Sequence, residues 1–323
     1  MKSRLRAHLK PQSTQANKSF FETVACPLCN CRKFEVIRPG RFPAVLSEQF
    51  LREVYRSSSD AKLFEQVVRC LNCQLVYLNP RLKASQIIEA YAQGEDSRHV
   101  SQDPMRIRTF TVALQQLRRA YKLGRSKAAR VLDIGCASGA FLVAARKLGL
   151  QGVGIEPNRW LARYGRTRYR LDVRPGVLAD YHFPNESFSL ATLWDVIEHV
   201  PRPAEELKAT HRVLKKEGIL VVNYPDYQSL PARLLGKKWP FWLSAHLTYY
   251  SPETIKRQLE RCGFTVLSLK PHWQTLELGY ILQRITPYFG LAAFLKRFVK
   301  RLGLSAVPIK YWIGQTQVVA RKC

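Results

Sequence analysis

One nine-residue stretch narrows the possible fold more than any other. Val131-Leu-Asp133-Ile-Gly135-Cys136-Ala-Ser138-Gly139 closes a β-branched run and leads into GAFLVAARKLG, where apolar residues recur at helical spacing. A strand ending on an acid, a turn with two glycines and a helix N-terminus form one unit. Glycine permits positive φ and lets a ligand approach the backbone closely. The helix start offers free N–H groups and the positive end of its dipole to an anion. The next strand, GVGI, ends on Glu156, followed by Pro157 and Asn158. An acid about 20 residues beyond such a turn is placed to accept hydrogen bonds from a ribose diol.

The alternation continues downstream. FSLATLW, PAEELKATHRVLKKEG, ILVVNYP, SPETIKRQLERCG, FTVLSL and TQVVARK read as strand, helix, strand, helix, strand and strand. Ser251 before Pro252 marks a helix start. The pattern predicts an α/β fold, doubly wound around a mostly parallel sheet. Upstream, residues 81–128 read as helical, and the polar, basic residues 1–19 as a flexible leader.

Cys26-Pro-Leu-Cys29 and Cys70-Leu-Asn-Cys73 are two C-x-x-C knuckles in turn-prone sequence. Together they can supply four thiolates to a closed, structural zinc site. Cys31 is a spare thiol nearby. Eight cysteines in 323 residues make no disulfide scaffold, so a reducing compartment, the cytoplasm, is expected. The first residues lack the apolar core of a secretory signal. Lys+Arg number 52 against 24 Asp+Glu, a formal charge of +28. Such a surface favours polyanions without choosing between nucleic acid, anionic lipid and phosphate-linked substrates.

D-x-G-x-x-x-G over 133–139, joined to GVLADYHFPNESFSLATLWDVIEHVPRP and HRVLKKEGILVVNYP, resembles the class I S-adenosylmethionine-dependent methyltransferases. It closely resembles the ubiquinone-biosynthesis type and its glycan- and natural-product-tailoring relatives, over roughly 129–270. The resemblance implies a seven-stranded Rossmann-like sheet and S-adenosyl-L-methionine as methyl donor. Asp133, Gly135, Cys136 and Gly139 would then line the methionine end. Glu156 would hold the ribose with Pro157 and Asn158 beside it. Asp180 would lie near the adenine, and Asp195 would open the loop after the fourth strand. Ser189 departs from the F-D pair that relatives usually carry. C-x-x-C followed by LVYLNPR resembles the zinc ribbons fused to this methyltransferase type. The organisation implied is a zinc-ribbon module over 20–80, a helical linker or cap over 81–128, and a methyltransferase domain over 129–323 with an insertion at about 275–312.

Asp195, Glu198 and His199, on one face of a helix's first turn, are expected to act with His246 on the acceptor. Relatives with an acid-x-x-Glu-His motif and a later His can hold a divalent cation there. A general-base or orienting role for His199 or His246, or a purely structural one, stays open. Asn223-Tyr-Pro-Asp226 follows the fifth strand, not the fourth, and so is read as a strand end at the pocket rim. In the insertion, Leu291, Phe294, Leu295, Phe298, Val299 and Leu302 share a helical face opposite Lys296, Arg297, Lys300 and Arg301. The expectation is a lid helix packed by its apolar face on the catalytic domain; the alternative is peripheral contact with an anionic membrane. A small, glycan or lipid-linked acceptor fits the resemblance. RNA, suggested by the charge and the zinc ribbon, is the second reading.

Overall fold

The computed structural model describes residues 20–42, 47–55, 63–121, 129–286 and 291–323. The leader expected over 1–19 lies outside the described residues. The N-terminal part forms an antiparallel ladder of β1 (Phe34–Arg38), β2 (Val67–Cys70) and β3 (Val76–Leu78). Helices α1 (Ala84–Ala92) and α2 (Asp103–Tyr121) follow, separated by a single turn at Ser97–Val100.

The strand-turn-helix unit is β4 (Arg130–Ile134) running into α3 (Ala140–Lys147). Then come β5 (Gln151–Glu156), α4 (Arg159–Tyr169), β6 (Asp172–Pro175), β7 (Phe188–Trp194), α5 (Pro203–Val213) and β8 (Leu214–Pro225). The chain closes with β9 (Thr248–Tyr249), α6 (Pro252–Glu260), β10 (Phe264–Pro271), β11 (Gln274–Glu277), α7 (Leu278–Ile285), α8 (Leu291–Arg301), β12 (Pro308–Tyr311) and β13 (Gln315–Lys322). Seven strands form the central sheet in the order β10-β13-β8-β7-β4-β5-β6. β6 through β8 are parallel, and β13 runs antiparallel between β8 and β10. The α/β sheet expected from the alternation is therefore present, with seven strands as the resemblance implied.

Period-two alternation assigns each strand residue to one of two cores. Leu132, Ile134, Leu193, Leu220 and Val222 pack on one face. Val131, Leu190, Val221 and Val319 pack with Phe141, Leu142 and Leu114 on the other. The first core continues into the cysteine region through Cys26, Cys70, Leu75 and Tyr77. The short β9 explains this continuity: it pairs antiparallel with β3, adding a fourth strand from late in the chain to the N-terminal sheet.

Two expectations are corrected. The helix begun at Pro203 stops at Val213, and Leu214 to Gly218 already belong to β8. The register shifts between Leu214 and Ile219, where Glu217 takes a positive φ of 61°, so LKKEG is a bulged strand entry. Secondly, α8 turns its large apolar residues outward. Phe294 is 66% exposed and Phe298 53%, whereas Ala292 is buried and Lys296 and Val299 are half-buried. Among the described side chains the helix packs through Ala292, Lys296 and Val299, and its phenylalanines form no lid face against the catalytic core.

Phe188, at the start of β7, is fully buried against Phe183. Phe188→Ala should lower unfolding free energy by about 3–5 kcal/mol, read as a fall in urea midpoint at unchanged slope. An unchanged midpoint would contradict this packing.

Candidate functional site

The C-terminal ends of β4 and β7 meet where the sheet order reverses direction, the crevice in which open α/β sheets bind ligands. Gly135 has φ 67° and donates its N–H to the Ile155 carbonyl (2.8 Å). A Cβ there would lie 2.5 Å from Val196 Cγ2 in the loop after β7, so only glycine lets the two loops approach. Gly139 caps α3 with φ 86°.

Glu156 stands at the end of β5 with no exposed surface. One carboxylate oxygen accepts the Ala137 N–H (2.7 Å) and the other the Asn158 N–H (2.7 Å). The Tyr91 side chain also hydrogen-bonds this carboxylate, so a diol at Glu156 would share the carboxylate with that phenol or displace it. Asn158 caps α4 through Leu161 N–H and donates to the carbonyls of Tyr91 and Gly94. Asp103, also buried, accepts from Ser138 Oγ (2.8 Å) and Tyr169 OH (2.9 Å). Residues 91–103 are thus tied to the glycine turn through Asp103 and to the start of α4 through the Tyr91 and Gly94 carbonyls. Asp133 is buried and accepts from Thr192 Oγ1 (2.6 Å). Burial pushes its carboxyl up to about 8 and that of Glu156 up to about 7. Pro157 lies between Glu156 and the Asn158 cap. Asp180 is exposed and accepts the Val177 N–H (2.8 Å), holding the turn after β6.

Asp195 is not on a helix with Glu198 and His199. It has φ 54°, and only Ile197–His199 form a short 3-10 turn. Its carboxylate accepts from Asn223 Nδ2 (2.6 Å) and Gln315 Nε2 (3.2 Å), on β8 and β13. Burial raises it to about 6. Asn223 is a strand-end residue at this rim, as expected.

Glu198, His199 and His246 do come together, with a candidate ligand atom of each within 4.8 Å of the others. His199 Nδ1 lies 2.8 Å from the Ala245 carbonyl and His246 Nδ1 2.9 Å from that of Phe241. A carbonyl only accepts, so both Nδ1 atoms carry hydrogen and both Nε2 atoms present lone pairs. Burial lowers His199 to about 4 and holds His246 well below the usual imidazole range. The Glu198 carboxylate oxygens are buried with no side-chain hydrogen-bond partner among the described residues, and burial, reinforced by Asp195, raises that group well above the usual range. Two lone pairs and an unpartnered carboxylate suit a divalent cation.

The four cysteines converge: Cys26 Sγ lies 3.4 Å from Cys73 Sγ, and Cys29 Sγ 3.5 Å from Cys70 Sγ. The knuckles match: four residues after each first cysteine, Asn30 and Gln74 take positive φ and donate N–H to the Cys26 and Cys70 carbonyls. Cys31 is outside the set, its sulfur facing the Lys33 backbone. Residues unmarked by local sequence also belong here. Asp103, Gln274 and Gln315 reach their partners in the site from 35, 79 and 120 residues away, and Arg106 lies against the His99 ring beside it. Only the fold brings them in.

Residues 105–269, just over half the chain, match the family model described as a methyltransferase domain. A ubiquinone biosynthesis O-methyltransferase of Rhodopseudomonas palustris is 32% identical over 161 residues, 46% of this chain and 63% of that protein. An ATP synthase lysine N-methyltransferase of Xenopus laevis is 30% identical over 142 residues, 43% of this chain and 58% of that protein. The chain spans about half the length of the curated relatives it matches, 48% to 63% in these and a Bradyrhizobium diazoefficiens ubiquinone biosynthesis O-methyltransferase. A solved structure of an S-adenosylmethionine-dependent methyltransferase from Archaeoglobus fulgidus aligns with 70% of this chain and all of its own, at 20% identity and a TM-score of 0.48.

The raised carboxyls predict how binding depends on pH. A group raised in the fold stabilises it fully below its unfolded value and loses that contribution as pH rises through 7 to 8. A cationic sulfonium ligand prefers both carboxylates ionised, so its uptake should expel protons. Affinity for S-adenosylmethionine should therefore rise between pH 6 and 8, by up to roughly tenfold per unit for each group. Calorimetry in buffers of different ionisation enthalpy checks this; pH-independent affinity with no proton release would contradict it.

Proposed function

The chain belongs to the class I S-adenosylmethionine-dependent methyltransferase family, and from that premise we propose that it methylates a hydroxyl, or a carbon, of a small, glycan or lipid-linked acceptor. The observation that carries the reading is the Glu198, His199 and His246 cluster, next to the loop that touches Gly135. S-adenosylmethionine supplies an electrophilic methyl on a sulfonium, and in-line displacement asks the protein mainly for positioning. Asp133, Gly135, Cys136 and Gly139 hold its methionine end, Glu156 with Pro157 and Asn158 its ribose, and Asp180 its adenine side; Asp195 braces the loop between donor and acceptor.

An acceptor hydroxyl must lose its proton or have its pKa lowered. Imidazoles held neutral by burial are weak bases at pH 7 but ready ligands. We therefore assign Glu198, His199 and His246 to a divalent cation, which would polarise the acceptor oxygen when bound. The orphaned Glu198 carboxyl supports this: burial favours its neutral form, and a bound cation would compensate the charge of the ionised one. His199→Ala and His246→Ala should each lower turnover by at least about a hundredfold, with affinity for S-adenosylmethionine within about twofold. Glu198→Gln is isosteric and breaks no hydrogen bond, so it should fold normally and lose turnover alike. Chelation should reduce wild-type turnover and added Mg2+ or Mn2+ restore it. Full activity in these variants would overturn the assignment. Activity that survives chelation but not His199→Ala would leave the histidine as base or orienter without a cation.

We read residues 20–80 as a structural zinc module, 81–128 as a helical cap and 129–323 as the catalytic domain. Four converging sulfurs on matched knuckles support zinc, and thiolates in that role fit a reducing, cytoplasmic compartment. Metal analysis of protein purified without chelator should give close to one zinc per chain. Cys73→Ser should lose it and lower the melting temperature; protein with no zinc but the wild-type melting temperature would contradict the assignment. RNA remains the second acceptor reading because of the +28 charge. A steep fall of RNA affinity with salt, implying several phosphate contacts, would favour it.

A further inference from the structure

The outward face of α8 has no use in the methyl-transfer site. Phe294, Leu295, Phe298 and Leu302 form its exposed stripe, the last 53% exposed, and Leu304 and Val307 extend it beyond the helix. Exposed phenylalanines and leucines in one contiguous patch usually mark a binding surface. The helix is anchored beneath by Ala292, packed in the α7–α8 hairpin. The stripe is therefore outside by construction, not by a loosened fit.

The flanking charge is of one sign. After Glu277 the sequence has no Asp or Glu to its end, yet eight Lys or Arg, of which Lys296, Arg297, Lys300 and Arg301 lie on α8. A second surface patch has the same make-up. On the short helix Leu230–Leu235, Leu230 and Leu234 are 63% and 77% exposed, with Arg233, Lys237 and Lys238 around them. Among the described residues no helix is long and apolar enough to cross a membrane.

We infer that α8 is an interfacial anchor, docking the protein in-plane on a lipid bilayer with anionic headgroups. Basic side chains meet the headgroups while Phe294, Phe298 and Leu302 insert among the acyl chains, the division of labour of monotopic helices. The bilayer fits better than the two other candidate occupants. A nucleic-acid backbone would satisfy the cations but leave the apolar stripe in water. A second copy of the same face would set four cations against four cations. The inference does not depend on the acceptor assignment and is tested without measuring turnover.

The full chain is co-sedimented with vesicles of phosphatidylcholine alone and of an equimolar mixture with phosphatidylglycerol. It should bind the mixed vesicles and leave the neutral ones in solution, with binding weakened by salt. Phe294→Ser/Phe298→Ser and Lys300→Glu/Arg301→Glu should each weaken partition at least about tenfold. Both pairs are exposed, so circular dichroism and melting temperature should match wild type. Val112→Ser, an exposed apolar residue on α2, should partition like wild type. Equal binding to both lipids, no binding, or unchanged partition of the phenylalanine variant would overturn the inference. So would an RNA oligonucleotide bound more tightly than vesicles and lost only in the charge variant, or a wild-type dimer dissolved by Phe294→Ser/Phe298→Ser.

Discussion

The structure turns on one buried carboxylate. Glu156 ends β5 and takes N–H bonds from Ala137, in the glycine turn, and from Asn158, at the start of α4. Those donors belong to two different strand-to-helix turns, so one side chain fixes the register between them. Asn158 extends the tie to the carbonyls of Tyr91 and Gly94. The upstream helical segment is thereby held over the crevice. A charge-assisted bond in a site this dry is stronger than in water, and leaving the group unpaired would be correspondingly costly.

Across the crevice, a second set of constraints shapes the acceptor side. The Glu198 carboxylate has no partner side chain among the described residues, but its backbone carbonyl accepts the Leu247 N–H (2.8 Å), and Leu78 N–H reaches the Leu247 carbonyl (2.9 Å). The histidine loop is thus sewn to β3, the strand that follows the second cysteine knuckle. Arg81 adds a bond to the Pro201 carbonyl (3.0 Å). The cysteine module therefore shares its sheet with the wall that carries His246. A site of four thiolates would stiffen that wall without touching the acceptor, which gives the module a physical link to the chemistry. A bilayer-docked α8, connected to the site through α7 and β11, would bring a lipid-linked acceptor towards the same crevice.

What is legible in the sequence is whatever local periodicity and spacing encode. The turn around Gly135 and Gly139, the strand ending on Glu156, the alternation behind the seven-stranded sheet and the paired knuckles all follow from neighbours in the chain. Local pattern misleads where long-range geometry outweighs it. Spacing groups Asp195 with Glu198 on a helical face, but Val196 must cross Gly135, and the chain takes a left-handed step that turns Asp195 towards Gln315. Side-chain size puts the apolar stripe of α8 inside, whereas Ala292 is its buried residue and Lys296 and Val299 are half-buried. Asp103, Gln274 and Gln315 carry no local signal at all. The domain boundaries and the roles of individual site residues rest on the proposals above.

The central claim is that Glu156 clasps the ribose of the methyl donor, and it can be tested with the donor's demethylated product. Titrating S-adenosylhomocysteine into wild-type protein and Glu156→Ala should give one site per chain in the wild type and affinity at least about tenfold weaker in the variant. Equal affinity in both, or no binding to the wild-type chain, would contradict the account.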